Sequence, residues 1–252
     1  KRNDVEEDEF RVLTAVKTIY NDIVIIDTSK ERLLLLDSTH NVHSKVIKGG
    51  KWTGSYWDEF ATLPPVVPEG PIAIFGLGGG TAAHLMLDLW PSLQLEGWEI
   101  DEILIDKSRE YFGLSSLEQP SSSGGVLNIH IGDVFSPEHS AVSGGYAGII
   151  VDLFVEGRVL PQLEQAATWM ELQSKLMPNG RVMVNCGGGG EGGVPPPVIG
   201  TMCDAFPGQV FWKQLGIESG DNYVALTGRE PDWKAWADSL PHQLKSCPGQ
   251  WK

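Results

Sequence analysis

The clearest structural signal in this chain is the stretch Pro71–Asp101, PIAIFGLGGGTAAHLMLDLWPSLQLEGWEID. A short apolar run, Ile72–Phe75, leads into a glycine-rich turn, and the leucines of Thr81–Trp90 then recur with helical periodicity. This order predicts a strand, a glycine loop and a helix. Glu99 stands at the end of the next predicted strand, 23 residues after Gly76.

The glycine loop and Glu99 together predict a nucleoside-binding site. Gly76, Gly78 and Gly80 let the backbone come close to a ligand, and the first amides of the following helix point toward it. An acidic residue at the end of the next strand can accept hydrogen bonds from both hydroxyls of a ribose. A purely structural turn is the alternative, because Gly-x-Gly-x-Gly alone is a weak pattern.

The loop differs from the fingerprint of dinucleotide-binding proteins. That fingerprint has a glycine or alanine three residues after its second glycine, and Thr81 stands there after Gly78. The pattern therefore favours an adenosyl sulfonium, the ligand of class I S-adenosylmethionine-dependent transferases, over a pyrophosphate. An NAD-dependent oxidoreductase is a weaker alternative, because no convincing catalytic His or Lys follows the fourth strand.

Composition and charge limit the function classes. The 252 residues are 41% hydrophobic and 21% charged, which is typical of a soluble globular protein. A net charge of -14 argues against nucleic acid as a partner, and suits a cationic substrate, with solubility as the simpler explanation. No apolar run approaches the ~20 residues that a membrane span needs.

Cysteine and histidine usage adds two expectations. The three cysteines are widely spaced and fit neither a disulfide framework nor a zinc site, which predicts a reducing intracellular compartment, in the cytoplasm or an organelle. His40 and His43 have no third ligand at useful spacing, so no metal site is expected.

The remaining apolar runs outline the fold. Asp22–Asp27 and Arg32–Asp37 predict a β-hairpin. After Glu99 the predicted elements are a helix at Glu102–Leu114, strands at Val126–Ile131, Ala147–Leu153 and Arg181–Asn185, a long helix at Val159–Leu176 closed by Met177–Gly180, a hairpin of Val210–Leu215 with Tyr223–Thr227, and a C-terminal helix around Trp233–Leu240. Strands alternating with helices predict a doubly wound, mostly parallel α/β sheet of seven strands with an antiparallel edge.

The change of periodicity at the prolines of residues 64–71 predicts the domain boundaries. We expect an acidic tail (1–10), a small N-terminal β domain (11–63) with an aromatic core around Trp52 and Phe60, the main α/β domain (70–228), and a C-terminal helix and tail (229–252). The glycine-rich segment Gly187–Gly193 predicts a flexible insertion, with a lid over the ligand as the alternative.

Four of the singled-out positions follow predicted strands. Ligands of such sheets bind beyond the carboxyl ends of the strands, where the sequence places Gly76, Glu99, Asp133 and Asp152. The sequence therefore predicts that these residues meet at one rim.

The order of these features resembles the spermidine synthases and related aminopropyltransferases. The resemblance covers about residues 11–228 and rests on the hairpin, Ser55–Asp58, the Gly76–Gly80 loop, Glu99–Asp101, Gly132-Asp133 and the strand ending in Asp152. It implies the methyltransferase-like (Rossmann-like) fold after a small β domain, and transfer of an aminopropyl group from decarboxylated S-adenosylmethionine to a polyamine.

The resemblance also implies residue roles. Glu99 would hold the ribose, Asp133 the adenine amino group, and Asp152 would orient or deprotonate the attacking amine. Tyr56 matches a tyrosine that lines the substrate pocket of that family. The implied partner is a small-molecule amine, and a homodimer is an open alternative to a monomer.

Three positions depart from the family pattern. Gly79 stands where the family has an aspartate that contacts the amine of the donor, Trp57 replaces a glutamine, and Val155 replaces a second amine-binding carboxylate, with Glu156 one position further on. The departures leave open whether the donor is S-adenosylmethionine or its decarboxylated form, and whether an aminopropyl or a methyl group is transferred. A catalytically silent nucleoside-binding protein is the alternative to a transferase.

Overall fold

The computed structural model describes residues 9–136, 142–216 and 221–252, so the predicted acidic tail lies almost entirely outside the described residues. The N-terminal part is a four-stranded antiparallel sheet with its strands in chain order. Its strands are β1 (Arg11–Lys17), β2 (Asp22–Asp27), β3 (Glu31–Leu35) and β4 (Val42–Ile47). The predicted hairpin is β2 with β3 and is confirmed; the flanking strands β1 and β4 were not predicted.

A second, seven-stranded sheet forms the body of the protein. Its elements in chain order, after helix α1 (Tyr56–Phe60), are β5 (Ile72–Phe75), α2 (Thr81–Leu89), β6 (Gln94–Glu99), α3 (Glu102–Tyr111), α4 (Leu114–Leu117), β7 (Val126–Ile131), β8 (Tyr146–Val151), the small hairpin β9 (Phe154–Val155) and β10 (Arg158–Val159), α5 (Ala166–Ser174), β11 (Leu176–Gly188), α6 (Pro197–Ala205), β12 (Val210–Gln214), β13 (Asn222–Thr227) and α7 (Trp233–Ser239). The strand order is β12-β13-β11-β8-β5-β6-β7, and β13 runs antiparallel to both neighbours.

The two central strands explain why the sheet is covered on both faces. All residues of β5 and β8 are buried, as expected for parallel strands between two helical layers. Leu85, Met86 and Ile105 belong to the core on one face, whereas Trp169 and Ile199 belong to the core on the other. The predicted doubly wound α/β fold is therefore confirmed, including its antiparallel edge and the small N-terminal sheet.

The predicted long helix at Val159–Leu176 is present only from Ala166 to Ser174, and its first part is wrong. Leu160 has extended backbone before Pro161, and a residue before proline disfavours the helical region. The chain therefore forms β10, a 3₁₀ turn at Pro161–Glu164 and only then α5. The indole of Trp169 holds this break in place by donating to the Leu163 carbonyl at 2.7 Å.

Three boundaries also differ from the prediction. Residues 177–180 do not close a helix but belong to β11, where Asn179 has φ 64° and the register with β8 shifts between Leu176 and Arg181. The helix predicted to reach Leu114 breaks at Gly113, which has φ 66°. The predicted glycine-rich insertion begins as strand, because Gly187 and Gly188 extend β11 and pair with β13.

The predicted C-terminal helix is confirmed as α7, which docks on the segment before the main sheet. The indole of Trp236 is buried and donates to the Thr62 carbonyl at 2.8 Å. In the part of the chain that the structure describes, no helix is both long and apolar enough to cross a membrane.

Candidate active site

A cavity of about 290 Å³ opens at the carboxyl ends of β5, β6 and β8, beside the N-terminal sheet. Its lining includes five residues that the sequence singled out, namely Gly76, Gly78, Glu99, Asp133 and Asp152. These residues come from four different strand ends, and the fold brings them together at one place. Their individual roles remain predictions.

The glycine loop is packed too tightly for side chains. At Gly76, which has φ 90°, an added Cβ would lie 2.1 Å from the carbonyl oxygen of Asp152. The Gly78 amide donates to Glu99 Oε2 at 3.1 Å, so the loop and the end of β6 are joined directly. Gly80, by contrast, does not line the cavity; it precedes α2 with φ 82° and lies against Leu114.

Glu99 is a fixed, buried carboxylate. Its Oε1 accepts from the amides of Ile100 at 3.1 Å and Asp101 at 3.3 Å, in addition to the contact of Oε2 with Gly78. Burial raises the pKa of Glu99, while these amide hydrogen bonds favour its charged form. The side chain is therefore held in one orientation at the cavity before any ligand arrives.

Asp152 follows β8 and is oriented by a residue that the sequence analysis missed. Asn185 Nδ2 donates to Asp152 Oδ1 at 3.1 Å, and the Asn185 Oδ1 accepts from Gly187 N and Asn222 Nδ2, each at 3.1 Å. Because the amide oxygen is already occupied, the amide nitrogen must face Asp152. The available signal was a single polar residue in the otherwise apolar fifth strand, VMVNC.

The environment of Asp152 makes it a weak acid that can exchange protons near neutrality. Burial raises the pKa of Asp152 to about 7, and the Glu99 carboxylate adds to the rise, against hydrogen bonds from Asn185 and Tyr56 that favour the charged form. A general base with a pKa near the working pH is the most effective kind.

Tyr56 lies behind Asp152 rather than in the cavity lining. It begins α1, is 8% exposed, and interacts through its hydroxyl with the side chains of Asp152 and Asn185. Burial raises the pKa of Tyr56 well above its ordinary value, and the Asp152 carboxylate adds to this, so the phenol stays protonated. Its predicted contact with substrate is untested, whereas its contact with Asp152 is present.

The structure places each of the three positions that depart from the family pattern. Gly79 donates to Ser44 Oγ at 2.8 Å, and an added Cβ would lie 2.7 Å from Ser44 Cβ, so β4 occupies the space that a side chain needs. Trp57 is 4% exposed and belongs to the core. Val155 lines the cavity, while Glu156 forms the turn between β9 and β10 with φ 48° and is exposed.

The N-terminal sheet supplies the other wall of the cavity, through Tyr20, Asn21, Leu36 and His43. Asp101 holds this wall in place. Its Oδ2 accepts from Thr18 Oγ1 at 2.6 Å and Asn21 Nδ2 at 2.7 Å, while its Oδ1 caps the first turn of α3. Sequence patterns gave no indication of these contacts, which join residues about 80 positions apart.

Asp133 lies at the exposed edge of the cavity. Its Oδ1 accepts from the Phe135 amide at 2.9 Å, and the lining of the same cavity includes the apolar residues Ile100, Val134 and Leu160. Among the described residues, no three His, Cys, Asp or Glu side chains are arranged to hold a metal ion.

Comparison with known proteins supports the resemblance. No family model matches the chain. It is 24% identical over 193 residues to the probable polyamine aminopropyl transferase of Bifidobacterium longum (strain NCC 2705), a match that covers 75% of this chain and 41% of that relative. The chain therefore spans less than half the length of this curated relative.

Two solved structures show the same architecture. A probable spermidine synthase from Corynebacterium glutamicum ATCC 13032 superposes with a TM-score of 0.69 at 16% identity, covering 95% of this chain and 90% of the other. A spermidine synthase in complex with the transition state analogue AdoDATO gives a TM-score of 0.67 at 15% identity, covering 96% and 81%. The chain thus has the fold of the spermidine synthases and is similar in sequence to a polyamine aminopropyl transferase, as its motifs predicted.

Proposed function

We propose that this protein is a transferase that moves an alkyl group from an adenosyl sulfonium, S-adenosylmethionine or its decarboxylated form, to a small-molecule amine. The observation that carries the proposal is the position of Asp152. Its carboxyl has a pKa of about 7, is oriented by Asn185 and Tyr56, and shares one cavity with the Glu99 carboxylate and the glycine loop.

The lining of the cavity supports nucleoside binding. Glu99 presents a fixed carboxylate to which ribose hydroxyls can donate, beside the Gly76–Gly78 backbone. We assign the adenine ring to the apolar lining residues Ile100, Val134 and Leu160, with Asp133 accepting from its amino group, as the resemblance implies. The homologous fold binds AdoDATO in another protein, which supports a ligand of this class here.

The chemistry needs a neutral nitrogen. An amine reaches the site as an ammonium, which has no lone pair, so Asp152 first accepts its proton. The lone pair then attacks the carbon bonded to sulfur, a C–N bond forms, the C–S bond breaks, and the electron pair of that bond neutralises the sulfonium to a thioether. Binding both substrates in one cavity supplies proximity and in-line orientation.

A catalytically silent nucleoside-binding protein is the second candidate. It is favoured by the absence of carboxylates at positions 79 and 155. The NAD-dependent alternative has less support. The Thr81 hydroxyl accepts from the Lys45 amide at 2.9 Å and donates to the Lys45 carbonyl at 3.1 Å. Thr81, at the position where the dinucleotide fingerprint has its third glycine, therefore joins α2 to β4.

Calorimetric titration with S-adenosylmethionine, its decarboxylated form, methylthioadenosine and NAD tests the proposal. We expect the adenosyl compounds to bind and NAD not to. Glu99→Ala should weaken methylthioadenosine by roughly 1.5–3 kcal/mol, the scale of a lost charge-assisted hydrogen bond. Glu99→Gln, which keeps the shape and an acceptor oxygen, serves as the matched control for folding. Unchanged affinity in Glu99→Ala would reject the ribose assignment.

A further inference from the structure

We propose that Arg181 and Arg229 form a binding site for a small oxyanion, at the end of the main sheet opposite the candidate active site. This inference does not depend on the proposed function. The group that binds is a phosphate or a carboxylate, because both present charged oxygens that a guanidinium recognises in the same way. The experiment below separates these two sources.

The site is a cavity of about 160 Å³ between β11 and β13, called the arginine cavity below. Arg181 pairs with Gly148 near the start of β8. Asn185, further along β11, contacts Asp152 at the opposite, carboxyl end of the sheet. β13 runs antiparallel to β11 and ends at Thr227, beside Arg181. The polar residues that line the arginine cavity include Gln173, Asn179, Arg181, Gln209, Thr227 and Arg229.

Arg181 is a half-buried cation that no carboxylate of the described residues balances. It donates from Nε to the Val66 carbonyl at 3.0 Å and from Nη1 to the Thr227 carbonyl at 3.1 Å. A guanidinium has five N–H donors, so three remain for a further acceptor. Burial lowers the pKa of Arg181, and no neighbouring acid opposes this effect. A bound anion would supply the opposite charge that a partly buried cation otherwise lacks.

The guanidinium of Arg181 is fixed at the wall of the arginine cavity. Its acceptor Thr227 and the next residue, Gly228, both line this cavity. An added Cβ on Gly228 would lie 2.9 Å from Arg181 Nη1 and 3.3 Å from its Cζ, so the guanidinium packs directly against the bare backbone there. Two carbonyls from different elements hold the group before any ligand arrives, which reduces the entropy that binding must cost.

The rest of the lining also favours an anion. Arg229 adds a second cation. The side chains of Gln173, Asn179 and Gln209 are neutral carboxamides, each of which can donate N–H. The described lining contains no Asp or Glu, although acidic residues outnumber Lys and Arg by 33 to 19 in the whole chain. The candidate active site has the opposite character, with carboxylates and no Lys or Arg in its described lining, so it repels the same anion.

The size of the arginine cavity suits a small oxyanion. Its volume is several times the ~10–15 Å³ that one water molecule needs, which leaves room for a phosphate or a short carboxylate. The planar fork of an arginine can donate two parallel hydrogen bonds to either group.

The test is calorimetric titration with inorganic phosphate and, separately, with acetate, at an ionic strength held constant with sodium chloride so that screening is equal throughout. Arg229→Gln removes one cation, and because Arg229 is exposed the fold should be unaffected. Arg181→Lys keeps the charge but loses the planar fork. Arg11→Gln is the matched control, because Arg11 is an exposed arginine of the N-terminal sheet and the change in net charge is the same.

We expect saturable binding to the unchanged protein, with a Kd that Arg11→Gln changes less than about twofold and that Arg229→Gln and Arg181→Lys each raise roughly fivefold or more, as for a lost charge-assisted hydrogen bond. A lower Kd for phosphate assigns the site to a phosphate group, and a lower Kd for acetate assigns it to a carboxylate. If neither anion binds saturably, or if both variants bind as tightly as the unchanged protein, the inference is wrong.

Discussion

Replacing Asp152 by asparagine should make the protein more stable at alkaline pH while removing the base proposed above. The folded pKa of about 7 lies above the ordinary value of 3.8, so the folded state binds a proton that the unfolded state releases between these values. The stability that protonated Asp152 contributes is therefore fully present below pH 4 and is lost as the pH rises through 7. The asparagine side chain has no such titration and still offers its oxygen to Asn185 Nδ2.

The size of the effect on stability follows from the difference between the ordinary pKa of 3.8 and the folded pKa of about 7, which at ~1.4 kcal/mol per pKa unit sets an upper limit of about 4 kcal/mol. Water in the open cavity screens the carboxylate and reduces the effect. We therefore expect the free energy of unfolding of Asp152→Asn to exceed that of the unchanged protein by roughly 1–3 kcal/mol at pH 8, and the two to be equal near pH 4.

Urea unfolding at intervals from pH 4 to pH 8.5 measures this difference. Asp133→Asn is the matched control, because it removes an exposed carboxylate from the same rim with the same change in net charge. Parallel stability curves for Asp152→Asn and the unchanged protein would refute the reasoning that the folded environment disfavours the Asp152 carboxylate.

Three further outcomes follow from the same site. Asp152→Asn should lower turnover by about 10²–10⁴-fold while methylthioadenosine affinity stays nearly constant, and a parallel loss of both would contradict a role as base. In the unchanged protein kcat/KM should rise as the pH increases through about 7, because the base must be deprotonated, and this limb should be missing from the residual activity of Asp152→Asn. Gly79→Asp should destabilise the fold by roughly 1–3 kcal/mol through its clash with Ser44, and Ser44→Gly should relieve part of that loss; equal melting temperatures for Gly79→Asp and the unchanged protein would count against the packing described.

Much of the cavity could be predicted because parallel strands end at one edge of a sheet. Glu99 ends one predicted strand and Asp152 follows another, and this was enough to place them on the same rim without any knowledge of packing. The break before α5 was also readable in principle, since Leu160 precedes a proline.

The other wall of the cavity could not be predicted in this way. His43 and Tyr20 reach the site only because the N-terminal sheet docks against α3, where Ile23, Ile25 and Leu104 share a core. Such docking depends on contacts between distant parts of the chain, and no local pattern encodes them. Asn185 was missed for a related reason, because its partner Asp152 lies on a neighbouring strand 33 residues away.

The carboxylate of Asp101 joins the two sheets through one short segment of backbone. The same segment carries Glu99, whose Oε1 accepts from the Asp101 amide, so the Glu99 carboxylate and the contact with the N-terminal sheet are two residues apart. Separation of the N-terminal sheet would expose an unpaired carboxylate and release the turn that orients Glu99. Slow amide hydrogen exchange in β2 and in β6 should therefore be lost together, as one cooperative unit, and bound nucleoside should protect the N-terminal sheet as strongly as the sheet that carries Glu99.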